Sequence, residues 1–359
     1  MEIYKKIILF IALFIFIYVI FDLYQRKQRL ALYLFNVKEN FDVPNPSSQS
    51  SEDIELNRMI YTEQQKITSM SPEDMNMPLS QYVVKASYNS ACTGNYVNTK
   101  AIEYVMSRGC RFVDFEVFDI SNIPHVAFSK DPTFKSIDSK NKILLNDALT
   151  TVVTCAFSSK SPNLKDPMFI NLRMKSNNNN IYKLVAKSVD ATLKPKLYNG
   201  KINDNTNVSD MAGKIVLLVD KTIRYDYKDY TSCGPKDTNC YDLSKYINME
   251  SGSDYLRLNQ YSTILDQQKN RPRILDDNEH TDKKYINLVV PDFNMKNTAN
   301  PSIGAFVKEH GCQIVAYKFY NKDAQLEEYE TLFNDNRYGT LKLADTIIYL
   351  TKEDEELNA

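Results

Sequence analysis

The sequence predicts an α/β fold with a mostly parallel sheet, either open or closed into a barrel. Beyond about residue 71, short runs rich in β-branched and aromatic residues recur along the chain, and segments of helical length separate several of them. Strands that alternate with helices in this way are typical of parallel sheets. The predicted strands are residues 82–84, 111–118, 168–172, 214–219, 286–290 and 313–319, and the predicted helices are 98–107, 144–157 and 181–193.

Composition supports a folded core and argues against two classes of function. The 359 residues are 43% hydrophobic, and 44 basic residues balance 45 acidic ones to a net charge of −1. This balance leaves no basic field to hold nucleic acid, so none is predicted as a partner. Three histidines, without a CxxC motif, argue against a zinc site. Abundant Asn, Lys, Ile and Tyr are typical of an AT-rich genome, such as that of a parasite or a large DNA virus.

The N-terminus carries a candidate membrane anchor. An apolar stretch from Ile7 to Tyr24 is interrupted only by Asp22, and lysines precede it while basic residues follow it. A transmembrane helix needs ~20 such residues. The alternative is a cleaved signal peptide, but no pair of small residues follows the apolar run. We therefore expect a single-pass membrane protein. Two lysines precede the helix and three basic residues follow it, and this slight bias favours a cytosolic position for the large domain.

Changes in composition divide the chain into segments. Residues 1–25 form the predicted anchor, and residues 26–73 form a polar linker that is rich in serine and punctuated by proline. Residues 226–282 are polar and rich in tyrosine and aspartate, which interrupts the alternation of strands and helices and predicts an insertion. Within them, Cys233 and Cys240 are close enough for a local disulfide, although the sequence leaves their pairing open. Residues 351–359 form a solvated acidic tail.

Three groups of motifs resemble the phosphoinositide-specific phospholipases C. The first group contains PLSQY at 78–82, ASYNS at 86–90, TGN at 93–95, GCR at 109–111 and VDFEVFD at 113–119. The second contains PMFINL at 167–172 and GKIVL at 213–217, and the third contains GCQIVA at 311–316 and YGTLK at 338–342. The resemblance implies a distorted TIM-type (β/α) barrel of the phospholipase C phosphodiesterase kind, preceded by one transmembrane helix. It divides the barrel into an X-like half at 74–225 and a Y-like half at 283–350, with 226–282 in the place of the inter-half linker.

The resemblance also implies where two catalytic histidines would stand, and neither position holds one. The first position, before the Asn of a Ser-His-Asn motif, is Tyr88, whose phenol is a poor general base at neutral pH. The second falls on Phe128, or on Ser129 if the register slips by one residue. His125 lies three residues before Phe128, and strand alternation predicts that it points to the opposite face.

The family's calcium position is altered as well. It corresponds here to Asn89, Asp114, Glu116 and Arg173, with arginine where the family pattern has a glutamate. A guanidinium is a permanent cation and cannot act as a metal ligand. We therefore expect the calcium site to be lost, without metal or other cofactor. Our hypothesis is that Arg173 pairs with Asp114 or Glu116 and occupies the calcium position.

Substitutions at the family's substrate positions point the same way. Leu218 and Asp220 stand where phosphate-binding lysines are expected, and Leu288 and Val290 replace an arginine and a tyrosine of the inositol-binding strand. The predicted function is a membrane-anchored pseudoenzyme, with no catalytic residue, that serves as a structural or interaction module for an unidentified protein partner. Two alternatives remain open: an active phosphodiesterase that uses Tyr88 and His125, or a lipid-surface binder without catalysis.

Overall fold

Parallel strands form a nearly closed barrel in the computed structural model, which describes residues 65–234, 240–275, 279–292 and 299–357. The strands are β1 (Tyr82–Ser87), β2 (Phe112–Ile120), β3 (Ile123–Ala127), β4 (Ile143–Leu144), β5 (Met168–Met174), β6 (Ile215–Asp220), β7 (Met249–Ser251), β8 (Leu256–Gln260), β9 (Ile274–Leu275), β10 (His280–Thr281), β11 (Ile286–Val290), β12 (Ile314–Tyr317) and β13 (Thr340–Lys342). The α-helices are α1 (Thr99–Ser107), α2 (Leu145–Ala156), α3 (Ile181–Thr192), α4 (Tyr261–Leu265), α5 (Ile303–His310), α6 (Ala324–Asp335) and α7 (Leu343–Leu357).

The barrel wall follows the order β7-β6-β5-β2-β1-β12-β11-β8, and each neighbouring pair in this order is parallel. The end strands β7 and β8 are joined by a tight turn, in which the amide of Gly252 donates to the carbonyl of Leu256. Strand β13 pairs antiparallel with β1, and β3 forms a hairpin with β2. The predicted α/β class and the parallel barrel are therefore confirmed.

Side-chain alternation separates an inner core from an outer one. Inner positions on successive strands, such as Phe112, Phe169 and Leu288, fill the barrel. The neighbouring outer positions, such as Phe115 and Leu172, pack in the larger core that includes the helices. Strands buried on both faces read as nearly continuous apolar runs, which explains why the sequence pattern identifies them. Towards the carboxyl ends of the strands the inner positions become polar, and this change positions the candidate site.

The segment 226–282, predicted as an insertion, contributes two strands of the barrel wall, and this part of the prediction is wrong. Strand β7 has three residues, and in β8 only Leu256 is fully buried. So short and polar a pattern does not stand out from a loop in the sequence. The same segment contains the disulfide between Cys233 and Cys240, which the sequence left open.

Two predicted segment boundaries also change. The end of the predicted linker belongs to the domain, since Ile67 and Met70 are buried in its cores and Thr68 bridges to Tyr338. Residues 351–356 of the predicted acidic tail are mostly exposed, and they belong to helix α7, which runs to Leu357. The predicted anchor at residues 7–24 lies outside the described residues. Within the described ranges, no helix is long and apolar enough to cross a membrane.

Candidate functional site at the barrel mouth

A buried polar cluster lies inside the barrel at the carboxyl ends of β2 and β5. The parallel register sets Asp114 beside Asn171 and Glu116 beside Arg173. Asn89 follows β1 and has a left-handed backbone conformation with φ of +43°. A non-glycine residue in this region is strained and often marks a functional site. The sequence-predicted positions Asn89, Asp114, Glu116 and Arg173 are thus brought together.

Arg173 forms the centre of this cluster. Its Nε and Nη2 donate to Oδ1 and Oδ2 of Asp114 at 2.9 and 2.6 Å, and its Nη1 donates to Oε1 of Glu116 at 3.0 Å. Nη2 also donates to the side-chain oxygen of Asn89 at 2.8 Å. The guanidinium is therefore paired with both carboxylates at once, where the hypothesis required only one of them.

Every carboxylate oxygen in the cluster accepts two donors. The second donors to Asp114 are the side-chain amide of Asn171 at 2.9 Å and the backbone amide of Asn89 at 3.2 Å. Oε1 of Glu116 also accepts from the side-chain amide of Asn89 at 3.2 Å. Oε2 of Glu116 accepts from the backbone amide of Ser129 and from the ammonium of Lys175, both at 2.9 Å. The hydrogen-bonding capacity of both carboxylates is therefore fully used.

The cluster is electrically balanced. Two buried carboxylates, Asp114 and Glu116, face two buried cations, Arg173 and Lys175, so their formal charges sum to zero. Burial lowers the pKa of Lys175, although the Glu116 carboxylate opposes that shift. Burial also acts to lower the pKa of Arg173, but Asp114 foremost, with Tyr88 and Glu116, raises it well above its ordinary value. Pairing of this kind is what allows charges to persist inside a protein.

Tyr88 lies against the guanidinium. The centre of Arg173 is 4.6 Å from the centroid of the Tyr88 ring, which is a favourable cation–π distance. Burial raises the pKa of the Tyr88 phenol far above its ordinary value, even though Arg173 opposes the shift. A phenol with so high a pKa holds its proton at neutral pH and cannot act as a general base.

Of the two residues predicted for the second histidine position, only Ser129 contacts the cluster. Phe128 packs in the outer core, whereas Ser129 contacts both Glu116 and Lys175 through its backbone. His125 pairs with Phe118 across the β2–β3 hairpin, and its Nδ1 lies 2.8 Å from the carbonyl oxygen of Ile123. Burial lowers the pKa of His125, and the charges that act on the ring come from Lys142, Asp119 and Asp147. None of these belongs to the cluster.

The remaining predicted positions line the barrel without offering a cation to a phosphate. Leu218, Leu288 and Val290 are part of the inner apolar core. The carboxylate of Asp220 is buried and accepts from the amide and hydroxyl of Thr222 at 2.8 and 2.6 Å. Burial raises the pKa of Asp220.

Sequence reasoning missed two members of the cluster, Asn171 and Lys175, and it named Ser129 only as an alternative for the second histidine position. Only Lys175 had a usable signal, because it follows Arg173 by two residues and strand side chains that are two apart share a face. Asn171 and Ser129 are polar residues of ordinary type, and only the strand register shows what they contact.

A divalent cation does not fit this arrangement. Calcium needs six to eight oxygen ligands, and the carboxylate oxygens that could supply them are each occupied by two donors. Arg173 and Lys175 add two positive charges where a metal would need anions. Across the described ranges of the chain, no group of three or more His, Cys, Asp or Glu side chains could hold a metal ion.

Comparison with solved structures identifies the fold. PLC21 of L. pealei superposes with a TM-score of 0.53 and 15% identity over 75% of this chain, and PLC21 of S. officinalis with 0.53 and 16% over 79%. This chain spans only 37% and 39% of those two proteins. Comparison with curated protein sequences finds no match.

A sequence model of one protein family matches part of the chain. Residues 75–221 match the model of phosphatidylinositol-specific phospholipase C, X domain. The matched stretch runs from the segment before β1 to the residue after β6, and it contains Asn89, Asp114, Glu116 and Arg173. Residues 75–221 are therefore similar to the X domain of the phosphatidylinositol-specific phospholipases C, and they lie within a nearly closed parallel barrel whose fold matches that of the two PLC21 proteins.

Proposed function

We propose that this protein is a phospholipase C-like domain without catalytic activity, which acts as a structural or interaction module. The observation that carries the proposal is the position of Arg173. Its guanidinium donates four hydrogen bonds to Asp114, Glu116 and Asn89 and thereby occupies the space between the two carboxylates. A calcium ion could enter only by displacing a buried, fully paired cation.

The proton-transfer groups support the same proposal. The reaction that the resemblance implies needs a general base and a general acid with pKa values near neutrality. Tyr88 is a buried phenol with a raised pKa, and the neighbouring Ser129 carries a hydroxyl without acid–base capacity in this range. His125 bonds to the carbonyl of Ile123 outside the cluster. The alternative proposal, an active phosphodiesterase, would have to use these groups.

We further propose that the domain is held at a membrane by the apolar segment from Ile7 to Tyr24, as a single-pass protein with the barrel on the cytosolic side. The support is the sequence pattern alone, since the length and flanking charges fit an uncleaved anchor. The partner that such an anchored module would bind is a protein of unidentified chemistry.

A cleavage assay tests the proposal. The full chain, reconstituted in vesicles that contain phosphatidylinositol, is expected to release no inositol phosphate with calcium or with a chelator. Calcium-dependent release that is abolished by Tyr88→Phe would establish the active phosphodiesterase instead. Tyr198→Phe is a matched control, because Tyr198 packs at the edge of the inner core and is absent from the polar cluster.

A further inference from the structure

A cavity lies beside the barrel mouth, next to the charged cluster. It has a volume of about 150 Å³ and lies between the end of β1, helix α1 and the residues that follow β12. Asn89 is the one member of the charged cluster that also lines this cavity. Among its lining residues, Lys322 is exposed and Thr93 is half-buried, so the cavity opens on the side of these two residues.

Two hydroxyl groups in the wall of this cavity have no hydrogen-bond partner in the described part of the chain. Oγ of Ser87 and the phenol oxygen of Tyr320 are both shielded from solvent, and both residues line the cavity. Ser87 is fully buried. A buried hydroxyl without a partner is unfavourable and is rare in native proteins. Two such groups in one cavity wall indicate that a polar group of a bound molecule forms hydrogen bonds with them.

Apart from Lys322 at the opening, the rest of the wall is apolar or uncharged. Ala101, Tyr104, Val105 and Phe319 are buried and line the cavity. The Cys92 thiol also lines it, and burial raises the pKa of this thiol well above its ordinary value, so it stays protonated. Walls of this kind favour an uncharged ligand that is mostly apolar and carries few polar groups.

The volume sets the size of the ligand. A cavity of about 150 Å³ with apolar walls accommodates a benzene ring. We propose that this cavity binds an uncharged molecule of the size of one six-membered ring that carries a hydroxyl group, with the hydroxyl paired to Ser87 and Tyr320. The site borders the charged cluster at Asn89 and includes no other member of it, and the inference does not depend on the proposed loss of catalysis.

Calorimetric titration of the full chain tests the inference, with phenol, benzyl alcohol and toluene as the probes. We expect saturable binding of phenol and binding of toluene that is roughly tenfold weaker, since toluene leaves both protein hydroxyls unpaired. Ser87→Ala and Tyr320→Phe should each weaken phenol about fivefold to tenfold and leave toluene unchanged. These two variants remove groups that have no partner in the protein, so they are expected to fold.

Two further variants control for binding elsewhere. Ala101→Leu fills the cavity and should abolish binding of all three probes, whereas Tyr349→Phe, which removes a hydroxyl bonded to Glu353 on α7, should change none of them. The inference is overturned if phenol shows no saturable binding at millimolar concentration. That result would mean that water alone forms hydrogen bonds with the hydroxyls of Ser87 and Tyr320. Equal affinity for phenol and toluene, or binding that survives both hydroxyl substitutions, would overturn it as well.

Discussion

Replacing Arg173 by glutamate tests whether this one side chain excludes a divalent cation from the barrel mouth. The substitution restores the residue type that the family resemblance implies at this position. It removes four hydrogen bonds that Arg173 donates to Asp114, Glu116 and Asn89. The formal charge of the cluster, counted over positions 114, 116, 173 and 175, changes from 0 to −2.

The expected cost without metal is large. Removing one partner of a buried ion pair typically costs ~3–5 kcal/mol, because the other charge is left uncompensated. The new carboxylate adds repulsion on the order of 4 kcal/mol for each like charge at ~4 Å, with an effective dielectric constant of ~20. A domain is stable by only ~5–15 kcal/mol in total, so the metal-free variant should be close to unfolding.

Calcium should reverse part of this loss. The free energy of unfolding of Arg173→Glu, measured by urea denaturation, is expected to increase by ~2.7 kcal/mol at a calcium concentration 100 times the dissociation constant. The same calcium should leave the native protein unchanged. Adding Lys175→Met removes the remaining cation beside Glu116 and should tighten calcium binding further.

Arg108→Glu is the matched control, because Arg108 also forms a two-point ion pair, with Glu330, but lies outside the cluster. This variant should lose stability without any rescue by calcium. The reasoning is refuted if the native protein gains stability from micromolar calcium, since that would show that the ion enters despite Arg173. It also fails if Arg173→Glu is unaffected by calcium while remaining folded.

Three more predictions follow from individual residues. Burial raises the pKa of Asp166 to about 6, above its unfolded value of ~4. Between pH 4 and pH 6 the Asp166 carboxyl is therefore protonated in the folded state and ionised in the unfolded state. Stability should therefore fall by ~2–3 kcal/mol as the pH rises from 4 to 6, and urea titrations of Asp166→Asn should lack this decrease. Phe169→Ala, inside the barrel, should cost ~3–5 kcal/mol, whereas Ile123→Ala, at an exposed hairpin position, should cost under ~0.5 kcal/mol. Deleting residues 1–25 should move the protein from the membrane pellet to the supernatant in cell fractionation, and a deletion that stays in the pellet would contradict the anchor proposal.

The local pattern of apolar residues in the sequence was enough to predict the main strands. Apolar runs at 111–118, 168–172 and 286–290 become β2, β5 and β11, because strands covered on both faces must be apolar nearly throughout. The sequence did not predict strand β8, because most residues of this barrel strand are exposed or half-buried and form no apolar run. Its membership is decided by pairing with β11, about thirty residues away in the chain.

For the candidate site, as for the fold, the sequence determined one part and the tertiary structure the other. The sequence by itself determined that Tyr88 precedes Asn89 and that Arg173 follows PMFINL, and the family resemblance predicts from this that histidine and glutamate positions are held by other residues. Only the tertiary structure decided that Arg173 pairs with both Asp114 and Glu116, that Lys175 joins them, and that Ser129 rather than Phe128 faces the cluster. The physical reason is that residue type follows from the chain alone, whereas hydrogen bonds between strands depend on register, which is set by the packing of the whole barrel.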